Sequence, residues 1–330
     1  MVDRTLRLSG WAVPFCSPGH WNTMTLSHLI TELPNPASER IDGLSALEIV
    51  RLMNAEDATV AEAVGREAAA IARAIEIVAA RLAAGGRLIY LGAGTSGRLG
   101  MLDAAECPPT FNSPPGQVLG IIAGGPAAMQ RSVEGAEDSR ETAVEDLRKV
   151  DLSINDVVFG IATSGRTPYV LGGLEYARQI GAATVALSCN REAAFNDMAE
   201  VTITPIVGPE VIAGSTRLKA GTATKMILNM VSTGAMVQLG KTYSNLMVDL
   251  RATNSKLVDR SRRIVAVLTG LSEVAAEELL ARYKGEVKTA VVACRCHLDA
   301  EQARQRLRLA GGHLRRALEG GIDGTAHPGH

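Results

Sequence analysis

Apolar residues change their spacing twice along this chain, and each change predicts a change of structure. After Pro34 and Pro36, Ile41, Leu44, Leu47 and Val50 recur every three residues. Ile71, Ile75, Val78 and Leu82 follow at spacings of four, three and four, so the chain reads as helical up to Ala84, before Gly85-Gly86. Short apolar runs then alternate with helical patterns, and strands are expected at 87–91, 118–123, 157–162, 184–188 and 201–206. Near-continuous apolar strands separated by helices predict a parallel sheet covered on both faces, hence an α/β fold. A long helix at 216–239 closes this unit, and past about Asp259 only short helices are expected, at 271–281, 287–295 and 300–309. The resulting division is a poorly ordered extension (1–25), N-terminal helices (26–84), a five-stranded α/β domain (85–258), a small C-terminal helical module (259–318) and a disordered tail (319–330).

Composition narrows the chemistry. A chain of 330 residues that is 46% hydrophobic can bury one large core with helical additions. Aromatic content of 3% argues against a base-stacking surface, and a net charge of −1 leaves no footprint for nucleic acid or a membrane surface. Any anion is therefore held locally. The five cysteines, at 16, 107, 189, 294 and 296, are odd in number and scattered, as in a reduced cytoplasmic protein. Cys294-x-Cys296 lacks a second ligand pair and reads as two helix residues, so no metal is expected. No apolar run approaches the roughly 20 residues that span a bilayer, the first 25 residues lack a secretory pattern, and Met24 offers an alternative start.

Three segments carry candidate binding chemistry. Residues 89–100, IYLGAGTSGRLG, run from a strand through glycines into a helix, where backbone N–H groups face an anion. The spacing Gly92-x-Gly94-x-x-Gly97 matches the dinucleotide fingerprint, but that reading requires an acid about 20 residues on. The second strand ends instead in Gly124-Gly125, and Arg98-Leu99 stand where a Walker A loop needs Lys and Ser or Thr. Gly94, Thr95 and Ser96 suit a small phosphate monoester better. A second junction, ATSGRTP, repeats the pattern with Thr163, Ser164 and Thr167, and Pro168 suits the first helical turn. The third segment, GPEVIAGSTRLKAGTATK at 208–225, offers Glu210 and Ser215 as further candidate contacts; helix capping with solvated cations is its blander reading.

Proton transfer has to run without histidine, because the six lie at 20, 28, 297, 313, 327 and 330, outside the α/β unit. Glu106 follows Leu99 by seven and Leu102 by four, which predicts a place on the buried stripe of a helix ended by Pro108-Pro109. Glu137 follows Val133 by four and precedes Val144 by seven, again on an apolar seam. A carboxyl on a core-facing stripe should have a raised pKa, as a general acid requires; the alternative is a structural carboxylate capping a backbone group. Cys107 reads as packing. Small residues and Met226, Met230 and Met236 suit a close helix at a subunit interface, so a C2 homodimer is expected.

The segments GAGTSGRLGMLDAAECPPTF, VEGAEDSRE, GIATSGRTPYVLGGLEYARQIG and VGPEVIAGSTRLKAGTATKMILNM, with TELPNPASERIDGLSALEIVRLMNAEDATVAEAV and NLMVDLRATNSKL, resemble the N-acetylmuramic acid 6-phosphate etherase family of the sugar-isomerase (SIS) phosphosugar-binding superfamily. The resemblance covers roughly residues 26–318. It implies a three-layer αβα SIS domain in a cytosolic homodimer that uses no cofactor. The implied reaction cleaves the D-lactyl ether to N-acetylglucosamine 6-phosphate and D-lactate, by elimination and then hydration, in cell-wall sugar recycling. It assigns Glu106 as the acid for departing lactate and later the base for water, Glu137 as the base at carbon 2, and Lys256 as an aid to ring opening. Arg191-Glu192-Ala193 departs from the family's Pro-Gly-Ser, which bears on whether that turn still serves the pocket. The competing readings are a sugar-phosphate sensor, whose relatives typically carry two SIS units where this chain shows no internal repeat, and a phosphosugar aldose–ketose isomerase.

Overall fold

In the computed structural model, which describes residues 29–191, 193–250 and 255–320, the sheet has the strand order β2-β1-β3-β4-β5 and every pairing in it is parallel. Its strands are β1 (Leu88–Gly92), β2 (Val118–Ile122), β3 (Val157–Ile161), β4 (Ala183–Leu187) and β5 (Val201–Ile203). The helices before and between them are α1 (Ala46–Asp57), α2 (Val60–Gly65), α3 (Ala68–Ala83), α4 (Gly94–Phe111), α5 (Arg140–Lys149) and α6 (Pro168–Ile180), and α7 (Lys219–Gln238) follows β5. One apolar core joins α2, α3, α4 and α7 to the sheet face carrying Tyr90, Phe159 and Val185. A second joins α5 and α6 to the opposite face, with Leu91, Val158 and Ala186. This is the three-layer α/β architecture of the sequence reading.

The order in which strands are added across the sheet reverses between β1 and β3. The helices leaving these neighbouring strands, α4 and α6, take opposite faces of the sheet, and a crevice opens at the strands' carboxyl ends. Open α/β sheets bind ligands there.

Helix α4 meets the sheet through its small residues. Its buried positions are Ser96, Gly97, Gly100, Asp103, Ala104, Cys107 and Phe111. The approach is so close that a Cβ on Gly120 of β2 would lie 2.6 Å from the Cα of Met101, which only glycine permits. Leu102 faces outward, 53% exposed, and Glu106 one turn on shares that exposed face. The expected stripe is therefore split: Leu99 is partly buried against the core, whereas Leu102 and Glu106 lie on the outer face, because bulky side chains cannot fit where the backbones touch. Pro108 and Pro109 lie inside the last turn and do not end the helix; Asn112, left-handed at φ 49°, does.

The rotation of α4 is set by a buried carboxylate. Asp103 accepts from the Tyr90 hydroxyl (2.7 Å) on β1, and from Asn229 Nδ2 (2.6 Å) and the Ser232 hydroxyl (3.1 Å) on α7. Burial, then the charge of Asp103, pushes the Tyr90 hydroxyl well above the usual tyrosine range, so it stays a donor.

Elsewhere boundaries moved for local reasons. Ser45 and Glu48 form a capping box that starts α1, and residues 30–43 before it make only short 3-10 turns. Leu47 and Val50 on α1 are exposed and belong to no core. Strand β5 stops short because Thr204 N–H donates to Glu67 (3.0 Å) and Pro205 has no donor. The C-terminal part holds five helices, α8 (Ser255–Thr269), α9 (Glu273–Arg282), α10 (Val287–Cys296), α11 (Ala300–Leu309) and α12 (Leu314–Glu319), after a hairpin of β6 (Thr242–Tyr243) and β7 (Leu246–Met247). Their core takes in Val248 and Leu250, and α8 runs unbroken across the expected boundary at 258/259. The expected extension (1–25), and the tail beyond Gly320, lie outside the described residues.

Removing the Asp103 carboxylate strands three donors, two of them in the protein interior, at about 1–3 kcal/mol each. Asp103→Ala is expected to cost about 3 kcal/mol or more and Tyr90→Phe about 1–2 kcal/mol, read as shifts in urea midpoints at constant slope. Equal, small shifts for both would show that the carboxylate does not organise α4.

Candidate active site

Two turns flank the crevice. The turn after β1 carries Gly94, Thr95 and Ser96 into α4, and the turn after β3 carries Thr163, Ser164 and Thr167 into α6. Because Gly92 pairs with Ile161, both turns emerge side by side. Thr95 also reaches the first turn of α7, where a Cβ on Gly221 would lie 3.7 Å from its methyl group.

Capping separates the helix ends that are open from those that are closed. Ser139 accepts from Thr142 N–H (3.1 Å) and caps α5. Glu210, with no exposed surface, accepts from the N–H groups of Lys219 (2.9 Å) and Ala220 (3.0 Å) and caps α7. At α4 and α6, by contrast, neither N-cap side chain bonds the first turn, Ala93 having no polar group and Thr167 pointing elsewhere. Unused N–H groups at a helix N-terminus attract an anion, and α4 has such an end at the crevice. At α6 Pro168 has no N–H and Tyr169 N–H donates to Glu137 C=O (3.0 Å), so the turn before that helix offers its hydroxyls instead. Glu210, read from the sequence as a candidate substrate contact, serves as a helix cap with both its oxygens engaged inside the protein. Burial pushes its carboxyl above the usual range, against those two N–H bonds and the charge of Lys219. Ser215 lies half-buried in the turn before α7.

The second turn is held in shape from behind. Thr163 C=O accepts from Cys189 N–H (2.9 Å) and from Asn190 Nδ2 (2.9 Å). Gly165 sits at φ +69° with Ala193 pressed against the space a side chain would need, and its C=O accepts from Ala194 N–H (2.9 Å). The divergent turn around Ala193 therefore still supports the loop. Ser164 Oγ accepts from Arg166 N–H (3.3 Å) and keeps its own proton to donate.

The two glutamates stand apart. Glu137 belongs to a turn, not to a helix, since Gly135 at φ +69° breaks the pattern and Ser139 starts α5 only afterwards. Its C=O accepts from Tyr169 N–H (3.0 Å), which fixes it beside the first turn of α6. Its side chain is exposed. Glu106 is exposed on α4. The burial expected for both carboxyls is not supplied within this chain. Along α4, Thr95 and Glu106 are about 16 Å apart at the helical rise per residue. Lys256 is exposed at the start of α8, next to a segment outside the described residues.

Neither Cys107 nor Cys189 offers a nucleophile, because burial pushes each thiol up to about 12. Among the described residues, no three His, Cys, Asp or Glu side chains converge as metal ligands. No helix among them is long and apolar enough to cross a membrane. Sequence reasoning missed Asp103 and Asn190; a polar residue one turn before Cys107, and another just past a buried strand, were the available signals.

Residues 70–178 match the N-terminal SIS domain of glucokinase regulatory protein, and 244–306 match the C-terminal lid domain of that protein. A phosphoheptose isomerase from Neisseria gonorrhoeae superposes with a TM-score of 0.44 at 15% identity, over 58% of this chain and 98% of that one. Much nearer are N-acetylmuramic acid 6-phosphate etherases. That of Rhodopirellula baltica is 58% identical over 89% of this chain and 97% of its own length. That of Erwinia tasmaniensis is 56% identical over 90% and 97%. At such identity over nearly the whole of both partners, this chain belongs to the N-acetylmuramic acid 6-phosphate etherase family.

Proposed function

We propose that this enzyme cleaves the D-lactyl ether of N-acetylmuramic acid 6-phosphate, as a carbon–oxygen lyase, to give N-acetylglucosamine 6-phosphate and D-lactate. The observation that carries the binding half is the open N-terminus of α4 set beside the hydroxylated turn before α6 at one crevice. The 6-phosphate accepts there from the first-turn N–H groups of α4 and from the hydroxyls of Thr95, Ser96, Ser164 and Thr167, with Gly94, Thr163 and Ser215 lining the approach.

The chemistry follows from the sugar. The proton on carbon 2 is acidic only when carbon 1 is an aldehyde, so the ring opens first, with Lys256 assigned to assist. Glu137, fixed beside α6, removes that proton. The ether at carbon 3 is β to the carbonyl, and its oxygen leaves as lactate when Glu106 protonates it. Glu106, now a carboxylate, draws a proton from water as the hydroxyl adds at carbon 3, and Glu137 returns its proton to carbon 2. Two carboxyls in opposite protonation states complete the cycle without net proton loss.

Geometry supports dividing these roles between two chains. A hexose 6-phosphate does not bridge about 16 Å from the N-terminus of α4 to Glu106 of the same helix, even with the side chain leaning back toward that end. Glu106 shares its exposed face with Leu102, and α7 presents Met230 and Val237 outward, 42% and 47% exposed. A C2 homodimer that covers this apolar surface would carry Glu106 of each chain to the crevice of the other, and burial at that interface would supply the desolvation an acid requires.

The match to glucokinase regulatory protein domains favours a second reading, a sugar-phosphate sensor without catalysis. Lactate release from the phosphosugar separates the two directly.

Ser164→Ala is expected to raise KM about tenfold to a hundredfold, the worth of a hydrogen bond to a charged group; an unphosphorylated substrate that reacts equally well would remove the phosphate site. Glu106→Gln keeps volume but cannot give a proton. Ether cleavage should fall about 10²–10⁴-fold while exchange of the carbon-2 proton with deuterated solvent persists. Glu137→Gln should abolish both exchange and cleavage. The reverse pattern swaps the roles, and parallel losses with lowered stability would make both residues structural.

A further inference from the structure

A strap of chain, residues 29–38, crosses the carboxyl edge of the sheet and ties down the segments around the crevice. Gly214 N–H donates to Thr31 C=O (2.9 Å), and Asn35 Nδ2 donates to Pro209 C=O (3.2 Å) and to Glu56 (2.8 Å). The Ser38 hydroxyl donates to Val211 C=O (2.7 Å). These bonds hold the turn leading to α7.

The strap's link to the phosphate turn is a single side chain. Asn190, 2% exposed, stands just past β4. Its Oδ1 accepts from Ile30 N–H (2.9 Å), and its Nδ2 donates to Thr163 C=O (2.9 Å) and to Thr31 Oγ1 (3.3 Å). An N–H faces one terminal atom and two oxygens face the other, so only one orientation of the amide serves. Aspartate has the shape but no donor for Thr163; leucine has neither donor nor acceptor. Every polar atom of Asn190 is engaged within the protein.

We propose that Asn190 is a positioning residue: it fixes the carbonyl of Thr163, hence the path of the Ser164–Thr167 turn, and couples that turn to the strap. This inference rests on the phosphate assignment made above. Its signature is a loss of phosphate binding with the chemical step preserved, since the groups that move protons are elsewhere.

The test measures lactate release with inorganic phosphate as competitive inhibitor, for wild type, Asn190→Asp, Thr31→Val and Ser164→Ala. Asn190→Asp keeps the acceptor for Ile30 but sets an oxygen against Thr163 C=O. It is expected to raise both KM and the phosphate inhibition constant about tenfold or more, with kcat within about threefold of wild type. Thr31→Val is isosteric and confined to the strap, and should raise both constants about threefold; it carries the test if Asn190→Asp does not fold. Unchanged constants with a lowered melting temperature, or a fall in kcat with phosphate affinity intact, overturn the positioning role. If Ser164→Ala weakens phosphate and neither other variant does, that role alone fails. If Ser164→Ala also leaves phosphate inhibition unchanged, the phosphate assignment fails and the positioning role with it.

Discussion

Everything in this site depends on leaving backbone N–H groups unsatisfied at the start of α4, beside the hydroxylated turn that leads into α6. Parallel strands β1 and β3 lie side by side, and their outgoing helices take opposite faces, so α4 and α6 aim their N-termini at one crevice. Such ends are ordinarily closed by a side chain, as Ser139 and Glu210 close α5 and α7. Alanine at the α4 N-cap leaves that helix end open for a ligand, while at α6 the Tyr169 N–H is taken by Glu137 C=O and the turn contributes hydroxyls. A chain with net charge −1 can then attract phosphate through local geometry alone.

The same packing that builds the crevice displaces one of the proposed catalytic groups from it. Helix α4 can lie against β2 only through small residues, with Gly120 admitting the backbone of Met101. Its larger side chains, Leu102 and Glu106, are forced outward. Asp103 locks that rotation by collecting donors from β1 and α7. A carboxyl on the outer face, far down the helix from the phosphate end, becomes useful when a second copy covers it. The proposed chemistry then calls for oligomerisation.

The alternation of apolar runs made the sheet, its parallel character and most of its strands legible in the sequence, because buried parallel strands have no polar face to confuse the pattern. The two hydroxylated turns were legible for a similar reason, as short polar interruptions at strand ends. Helix faces were harder. Leucine spacing pointed to a Leu99–Leu102–Glu106 core stripe; Leu99 does pack against the core, but backbone proximity put glycine and alanine inside and turned Leu102 and Glu106 outward, because periodicity reports amphipathicity but not how close two elements come. Glu137 was read on a helix that Gly135 does not allow. Glu210 looked like a ligand contact because a cap contributed from nine residues upstream leaves no local signature. The resemblance nevertheless selected the same two glutamates, and family membership supports that choice through homology, whereas the burial argument for them does not hold within one chain.

Mixing two inactive variants tests the shared site most directly. Glu106→Gln and Glu137→Gln proteins, each inactive in ether cleavage alone, are combined under conditions that exchange subunits, and lactate release is followed. If Glu106 of one chain works with Glu137 of the other, each mixed dimer regains one intact site, and an equal mixture is expected to recover roughly a quarter of wild-type activity. Mixed dimers that form, shown by a mass tag on one variant, yet release no lactate would place both glutamates in one chain's site and contradict the account.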